Sequence, residues 1–373
     1  MIGLFSFFAG AGFLDLGFET TGYYKTLFVN EYKESFNRIY RFSRQNMGIA
    51  EPNFGHHIGD IADWLNEREK NSTLHKWVES AKKELGFELV GFIGGPPCPD
   101  FSVAGKNKGK DGDNGKLSQT YVDLICDIKP DFFVFENVKG LYRTAKHREF
   151  FESVKSQLKN IGYVMSEQLI NSIEFGAPQD RDRIILVGFQ KSIASSLKFR
   201  AKNGQLPDFD WEKHKLYHRD VFNLNWPTTS PYKENGVLPM PEGIIPELTV
   251  EYWWNKNDVL HHPNAEMYFN ARAGLYRFQT KDEGDNEKKC YKRLHRWRYS
   301  PTAAYGNNEV HIHPYLPRRI SVAEALAIQS LPANYAIPTD ITLTDAFKTI
   351  GNGVPYMAAK GIALNIYDYI HHK

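Results

Sequence analysis

The chain is expected to be an α/β protein: a doubly wound, mainly parallel sheet with a smaller, irregular, β-rich second domain. Three observations predict this. The opening runs strand, glycine loop, helix. Strand-like and helix-like runs then alternate to about residue 189, the rhythm of a parallel sheet with crossover helices. Beyond that the texture changes. Residues 190–317 carry frequent prolines and scattered aromatics with no βαβ rhythm, and helical periodicity returns only from Ser321.

Each element follows from its own residues. Residues 4–8 form an apolar run and the first strand; Gly10 and Gly12 break it; residues 13–21 start a helix with Leu14, Leu16 and Phe18 as apolar positions. Residues 25–29 make a second strand that ends in Asn30-Glu31. The run 89–93 reads as a buried strand stopped abruptly by Gly94-Gly95-Pro96-Pro97. Residues 131–135 form another, ending in Glu136-Asn137-Val138, and residues 184–189 form a late one. Val322, Ala325, Leu326, Ile328 and Leu331 share a helix before Pro332. Met357, Ala358, Ile362, Ala363 and Ile366 are spaced for one face of a last helix. The domains so drawn are 1–190, completed by 318–373, and 191–317.

Composition narrows the class. At 373 residues there is room for two domains, and 42% hydrophobic with 24% charged residues is ordinary for a soluble globular protein. Cys98, Cys126 and Cys290 are odd in number and lack a Cys-x-x-Cys spacing, which argues against a disulfide framework or a zinc site and fits a reducing cytoplasm. No metal is expected. No apolar run is long enough to span a bilayer. The apolar start lacks a basic leader and meets Gly10, Gly12 and Asp15 at once, unlike a signal peptide. A formal net charge of +2 neither demands nor excludes nucleic acid, so local clustering must decide.

Two places invite chemistry. Cys98 sits at the carboxyl end of a strand on a proline-stiffened turn, where open α/β sheets bind ligands. A cysteine there is a candidate nucleophile, or a small buried residue at a strand end. The glycine loop, with Glu31 about nineteen residues after Gly12, has the spacing at which an acid grips ribose hydroxyls. That pattern fits a dinucleotide as well as S-adenosylmethionine. Asp60 is either a helix N-cap or a ligand contact.

Six motifs in order resemble the cytosine-C5 DNA methyltransferases of bacterial restriction–modification systems. They are Phe8-Ala9-Gly10-Ala11-Gly12, the Pro97-Cys98 turn, Glu136-Asn137-Val138, and Gln179-Asp180-Arg181-Asp182-Arg183. Arg318-Arg319-Ile320-Ser321 with Glu324 and Gln329, and the closing Gly351-Asn352-Gly353-Val354-Pro355, complete the set. The likeness covers roughly 1–190 and 315–373. It implies a Rossmann-like S-adenosylmethionine-dependent methyltransferase domain, with S-adenosylhomocysteine as product and residues 191–317 as the target-recognition domain. It also implies a cytoplasmic enzyme, expected to be monomeric and associated with the nucleoid through double-stranded DNA, with no membrane partner. A tRNA-acting branch of the same family is the alternative substrate class.

The resemblance also implies roles. Cys98 attacks C6 of a flipped cytosine, Glu136 handles N3, Arg183 binds O2, and Arg181 supports the cysteine and the sugar-phosphate. Phe8, Gly10, Gly12, Glu31, Tyr32, Asp60, Ile61, Pro97, Asn352 and Val354 surround the cofactor. The chain departs from the family at Phe13, usually glycine, at Pro99, usually glutamine, and at Asn114, usually arginine. Residues 102–117, with Ser102, Lys106 and Lys108, read as a phosphate-seeking loop or a solvated one. Lys292, Arg293, Arg296 and Arg298, interleaved with aromatics, are expected to form a basic patch for phosphate and base contact.

Overall fold

The computed structural model describes residues 1–97, 113–271, 275–288, 290–303, 305 and 309–372. Seven strands form one sheet: β1 (Ile2–Phe7), β2 (Tyr24–Glu31), β3 (His56–Ile58), β4 (Val90–Gly94), β5 (Phe132–Val138), β6 (Tyr163–Asn171) and β7 (Asp182–Gln190). Their order is β3-β2-β1-β4-β5-β7-β6. The first five run parallel, and β7 is antiparallel to both β5 and β6. β1 and β4 are buried at every residue, because both sheet faces are covered and alternation of polar and apolar side chains is not needed.

The side-chain period of two still decides which layer each residue joins. Phe5, Phe7 and Phe92 point into one core with Val78, Tyr121, Ile125, Phe151 and Val154, from helices Arg68–Lys83, Asp113–Ile128 and Ala145–Asn160. Leu4, Ile93 and Phe132 point into the other, with Leu14 and Phe18 of helix Phe13–Glu19 and Ala359, Ile362 and Ile366 of helix Tyr356–Ile370. Those two helices touch closely: a Cβ on Gly17 would lie 2.4 Å from that of Ala359. The C-terminal helix is therefore part of the sheet's own covering layer, tied further by Tyr24 Oη donating to the Ala363 carbonyl at 2.8 Å.

The region after β7 is irregular, as expected, but not β-rich. Among the described residues from 191 to 317 there are only isolated bridges, such as Ser230 with Glu283 and Arg293 with Ile312, and short helices including Val250–Lys256 and Leu275–Thr280. Frequent proline removes ladder donors, so extended pairs do not propagate. Packing does not break at residue 190 either. Leu206, Phe209 and Trp211 join the core beneath the sheet, and Trp211 Nε1 donates to Ser166 Oγ on β6 at 2.9 Å. Further on, Trp254 donates to the Glu324 carbonyl at 3.0 Å and Asn264 to that of Ile337 at 2.7 Å, stitching the region to the C-terminal segment.

Buried cations supply what ladders do not, and this corrects the expected DNA patch. Arg293 is fully buried; its guanidinium serves the carbonyls of Phe278, His313, Pro314 and Leu316 and stacks over Tyr232. Arg296 is also buried. It pairs with Glu283 through Nε and Nη2, both at 2.9 Å, and its Nη1 reaches the Gly236 carbonyl at 2.8 Å. In this structure both guanidinium groups are turned inward, where the patch was expected at the surface. Counting charges along the chain could not see this, because their partners are backbone carbonyls and one distant glutamate. Lys292 and Arg298 are only half-buried. Arg296→Gln should lower unfolding free energy by about 3–5 kcal/mol in urea, since Glu283 is left buried without its partner. The salt dependence of DNA binding by the folded variant should be that of wild type. Wild-type stability with a log–log slope reduced by about 0.9 would restore the surface reading.

Candidate active site

The sheet order reverses between β1 and β4, which is where an open α/β sheet forms its crevice. Phe7 is opposite Gly94, so the glycine loop after β1 and the Gly-Gly-Pro-Pro turn after β4 leave the sheet side by side. The chain turns sharply after β1. Phe8, Gly10 and Gly12 all have left-handed backbones, with φ of 54°, 57° and 76°. Such a φ is uncommon for a bulky residue like Phe8 and marks a constrained loop. A Cβ at Gly10 would meet only Thr349 Oγ1, at 3.8 Å, so that position needs glycine for its φ and stays open for a ligand.

Glu31 ends β2 beneath this loop. Its Oε2 accepts the Gly10 N–H at 2.8 Å and its Oε1 the Lys33 N–H at 2.9 Å. Burial raises its pKa, and those backbone bonds oppose the rise. A carboxylate offers about four acceptor positions, and these backbone N–H groups do not use them all. The next residue, Tyr32, leaves its ring 75% exposed. Asn30 donates to the carbonyls of His57 and Gly59, at 3.3 and 3.1 Å, which brings the end of β3 and Asp60 to the same edge. Asp60 Oδ1 accepts the Ala62 N–H at 2.9 Å, so the carboxylate does shape the following turn. A turn left open at Gly10, a buried acid at the end of β2 and the exposed Tyr32 together fit a nucleoside-type cofactor. The side chains of Ile61 and Val354 belong to the hydrophobic cores on the two sides of the sheet.

Cys98, Ser102, Lys106 and Lys108 lie outside the described residues. What surrounds the turn before Cys98 is clear. Glu136 projects near the end of β5, the strand beside β4, and a Cβ on Gly95 would fall 2.5 Å from its Oε2. Glycine at 95 thus lets the carboxylate lie against the turn. Arg183 stands opposite Val138 on β7, which puts it diagonal to Glu136 on one sheet face, and its Nε lies 2.7 Å from Glu136 Oε1. Burial pushes the Glu136 pKa up; the charges of Arg183 and then Arg181 pull against that.

Arg181 is a tie rather than an open contact. It is 1% exposed and donates to the carbonyls of Ala303 at 3.1 Å and Gly351 at 2.8 Å. Both contacts are with main chain, where the expectation was support of the cysteine and the sugar-phosphate. Gln179 works alongside it, donating to Gln329 Oε1 at 3.1 Å and accepting the Ala303 N–H at 3.0 Å. The Gln-x-Arg-x-Arg element thereby joins the sheet edge to the two late motifs, and leaves Asn352 exposed beside the loop. Sequence reasoning missed Asn171, whose Nδ2 holds Asp180 at 2.8 Å and whose Oδ1 accepts the Arg181 N–H at 3.2 Å. It also missed Arg44, although the 36–40–44 spacing places that residue on the buried face of helix Glu34–Asn46 with Phe36 and Tyr40.

The family model for C-5 cytosine-specific DNA methylase matches residues 2–368. The chain is 59% identical over 369 residues to the Type II methyltransferase M.NmeDI of Neisseria meningitidis serogroup C, an alignment covering 99% of this chain and 84% of that one. It is 28% identical over 376 residues to the Type II methyltransferase M.FnuDI of Fusobacterium nucleatum, covering 98% and 95%. A structure described as a DNA modification methyltransferase encoded within a prophage (E. coli) aligns over 100% of both chains, with a TM-score of 0.65 and 21% identity. S. pombe Dnmt2 methyltransferase aligns over 98% of this chain and 99% of that one, with a TM-score of 0.60 and 13% identity. These structural likenesses speak to the fold. With a family match running from β1 into the last helix, the chain belongs to the family of C-5 cytosine-specific DNA methylases.

Proposed function

We propose that the enzyme methylates C5 of a cytosine flipped out of a specific duplex site, through a covalent bond between Cys98 and C6, and that it is the modification half of a restriction–modification system. The observation that carries this reading is the Glu136–Arg183 pair lying against Gly95, immediately before Cys98 and beside the glycine loop. Phe8, Gly10, Gly12, Glu31, Tyr32, Asp60, Pro97 and Asn352 are the residues proposed to hold S-adenosylmethionine. When bound, that cofactor supplies an electrophilic methyl group.

The chain's own residues then do three things. Cys98 adds as thiolate to C6, which makes C5 enamine-like and nucleophilic. Glu136 donates a hydrogen bond or proton at N3 as charge builds there, and burial favours the protonated carboxyl needed for it. Arg183 stabilises the charge at O2. Loss of the C5 proton and β-elimination free Cys98. Flipping the base costs a few kcal/mol, and the segment with Ser102, Lys106 and Lys108 is proposed to close over the gap. Residues 191–317 are proposed to read the sequence, with Lys292 and Arg298 nearest to solvent in the former patch.

A duplex carrying 5-fluorocytosine at the target should trap a denaturant-resistant adduct on Cys98, because fluorine cannot leave as a proton does. Cys98→Ser should abolish both trapping and turnover while still binding S-adenosylhomocysteine. Burial pushes the Cys126 thiol up to about 11, so almost none of it is thiolate at neutral pH. Peptide mapping that finds the adduct on Cys126 or Cys290 would overturn the assignment. Methyl incorporation into tRNA but not duplex DNA would overturn the substrate class.

Glu136→Gln keeps the shape and a hydrogen-bond donor but cannot transfer a proton. It should lower kcat by at least about 100-fold, the low end of general acid–base contributions. The sign of the pH effect follows from the raised pKa. The protonated acid is present below that pKa and disappears as pH rises through it. Wild type should therefore lose activity on the alkaline side through Glu136, and the glutamine variant should lack that limb. An unchanged limb in the variant would assign the ionisation to another group.

A further inference from the structure

We propose that Arg44 and Tyr335 are positioning residues for the cofactor: together they clamp the carbonyls of Ala11 and Gly12 from behind and so hold the glycine loop against Glu31. This rests on the reading that the loop binds S-adenosylmethionine.

Arg44 ends the buried face of helix Glu34–Asn46 and is 4% exposed. Its Nη1 donates to the Ala11 carbonyl at 3.3 Å and its Nη2 to the Gly12 carbonyl at 2.6 Å. Tyr335 is fully buried and its hydroxyl donates to the same Ala11 carbonyl at 2.8 Å. The other side of that peptide is also held, since the Gly12 N–H donates to the Ala9 carbonyl at 2.8 Å. The Ala11–Gly12 peptide is therefore bonded at both its carbonyl and its N–H. Neither residue touches the crevice; each acts through the backbone. The path onward is short, because the Gly10 N–H carries Glu31 Oε2.

A buried guanidinium is a costly way to fill space, and an apolar residue of similar volume is often at least as stable. Here the cation needs its own support. Glu19 Oε2 lies 3.2 Å from Nη2, and the guanidinium stacks on Tyr40, its carbon 3.9 Å from the ring centre. Tyr40 in turn donates to buried Asp15 at 3.1 Å. A Cβ on Gly12 would sit 2.5 Å from both Arg44 Nη1 and the Tyr40 ring, so the clamp closes only on glycine. The departure at Phe13 has a place in the same device. Its ring packs edge-on against Tyr335, 5.3 Å between centres, and occupies the space a Cβ on Gly353 would need. The loop is gripped between helix Glu34–Asn46 and the segment 335–354, which are themselves bridged by Lys33 with Asp345 and by Arg38 with Asp340.

Tyr335→Phe removes one hydroxyl and keeps the ring. Arg44→Lys keeps the charge but loses the fork, and Arg44→Met loses both. Calorimetric binding of S-adenosylhomocysteine to the cofactor-free, full-length enzyme should weaken on the order of 5- to 10-fold in Tyr335→Phe, the effect of one lost hydrogen bond to a buried carbonyl. It should weaken more in Arg44→Met, with Arg44→Lys between wild type and Arg44→Met. The KM for S-adenosylmethionine should rise in parallel, while kcat at saturation in Tyr335→Phe stays within about twofold of wild type. Duplex DNA affinity should not change, and thermal unfolding of Tyr335→Phe should stay near that of wild type. Cofactor affinity unchanged in Tyr335→Phe and Arg44→Lys would overturn the positioning role. So would a loss shared equally by DNA affinity and kcat, which would mean a general structural defect. If wild type itself does not bind S-adenosylhomocysteine, the cofactor reading fails and takes this proposal with it.

Discussion

Parallel pairing of β4 between β1 and β5 is the constraint on which the rest of the site depends. Phe7 faces Gly94, and Gly94 faces Phe135, so three strand ends finish at one level. The glycine loop, the turn before Cys98 and Glu136 are thereby brought to one end of the sheet by strand pairing. A shift of β4 by one residue would turn its apolar side chains from one core to the other, because the strand period is two. Both cores are filled by helices, so that shift is strongly disfavoured, and the register of the site is set by hydrophobic packing far from its chemistry.

Charge is used inside this molecule mainly to hold backbone. Arg44, Arg181 and Arg293 each satisfy two or more main-chain carbonyls in loops that have no ladder to do it. An unpaired buried carbonyl costs a few kcal/mol, and a planar guanidinium with several donors can serve a cluster of them at once. Glu136 differs. Its partner Arg183 is an ion-pair neighbour on the next strand, and its remaining oxygen faces Gly95 in the turn after β4. Burial raises its pKa, and the charges of Arg183 and then Arg181 oppose that rise.

The same features explain where sequence reasoning succeeded and where it did not. Strands β1, β2, β4, β5 and β7 were legible because each is a short apolar run ended by glycine, proline or a polar pair. The capping box at Ser321 and Glu324 likewise marks the start of helix Val322–Ile328 from local chemistry alone. The region after β7 was misread as β-rich, since aromatics and prolines raise β expectation without providing partners. The burial of Arg293 and Arg296 is not legible in the sequence, because composition counts charges but gives them no direction.

By itself the sequence determined the sheet's type, the order of the motifs along it and the residue kinds available for chemistry, because those rest on local periodicity, turn residues and short spacings. Only the tertiary structure decided which distant residues meet. Gly95 making room for Glu136, Arg181 fastening Gly351, and Arg44 with Tyr335 closing on Ala11 join positions up to 324 residues apart. Such contacts follow from how two packed layers bring separate segments together, and no window along the chain contains both partners.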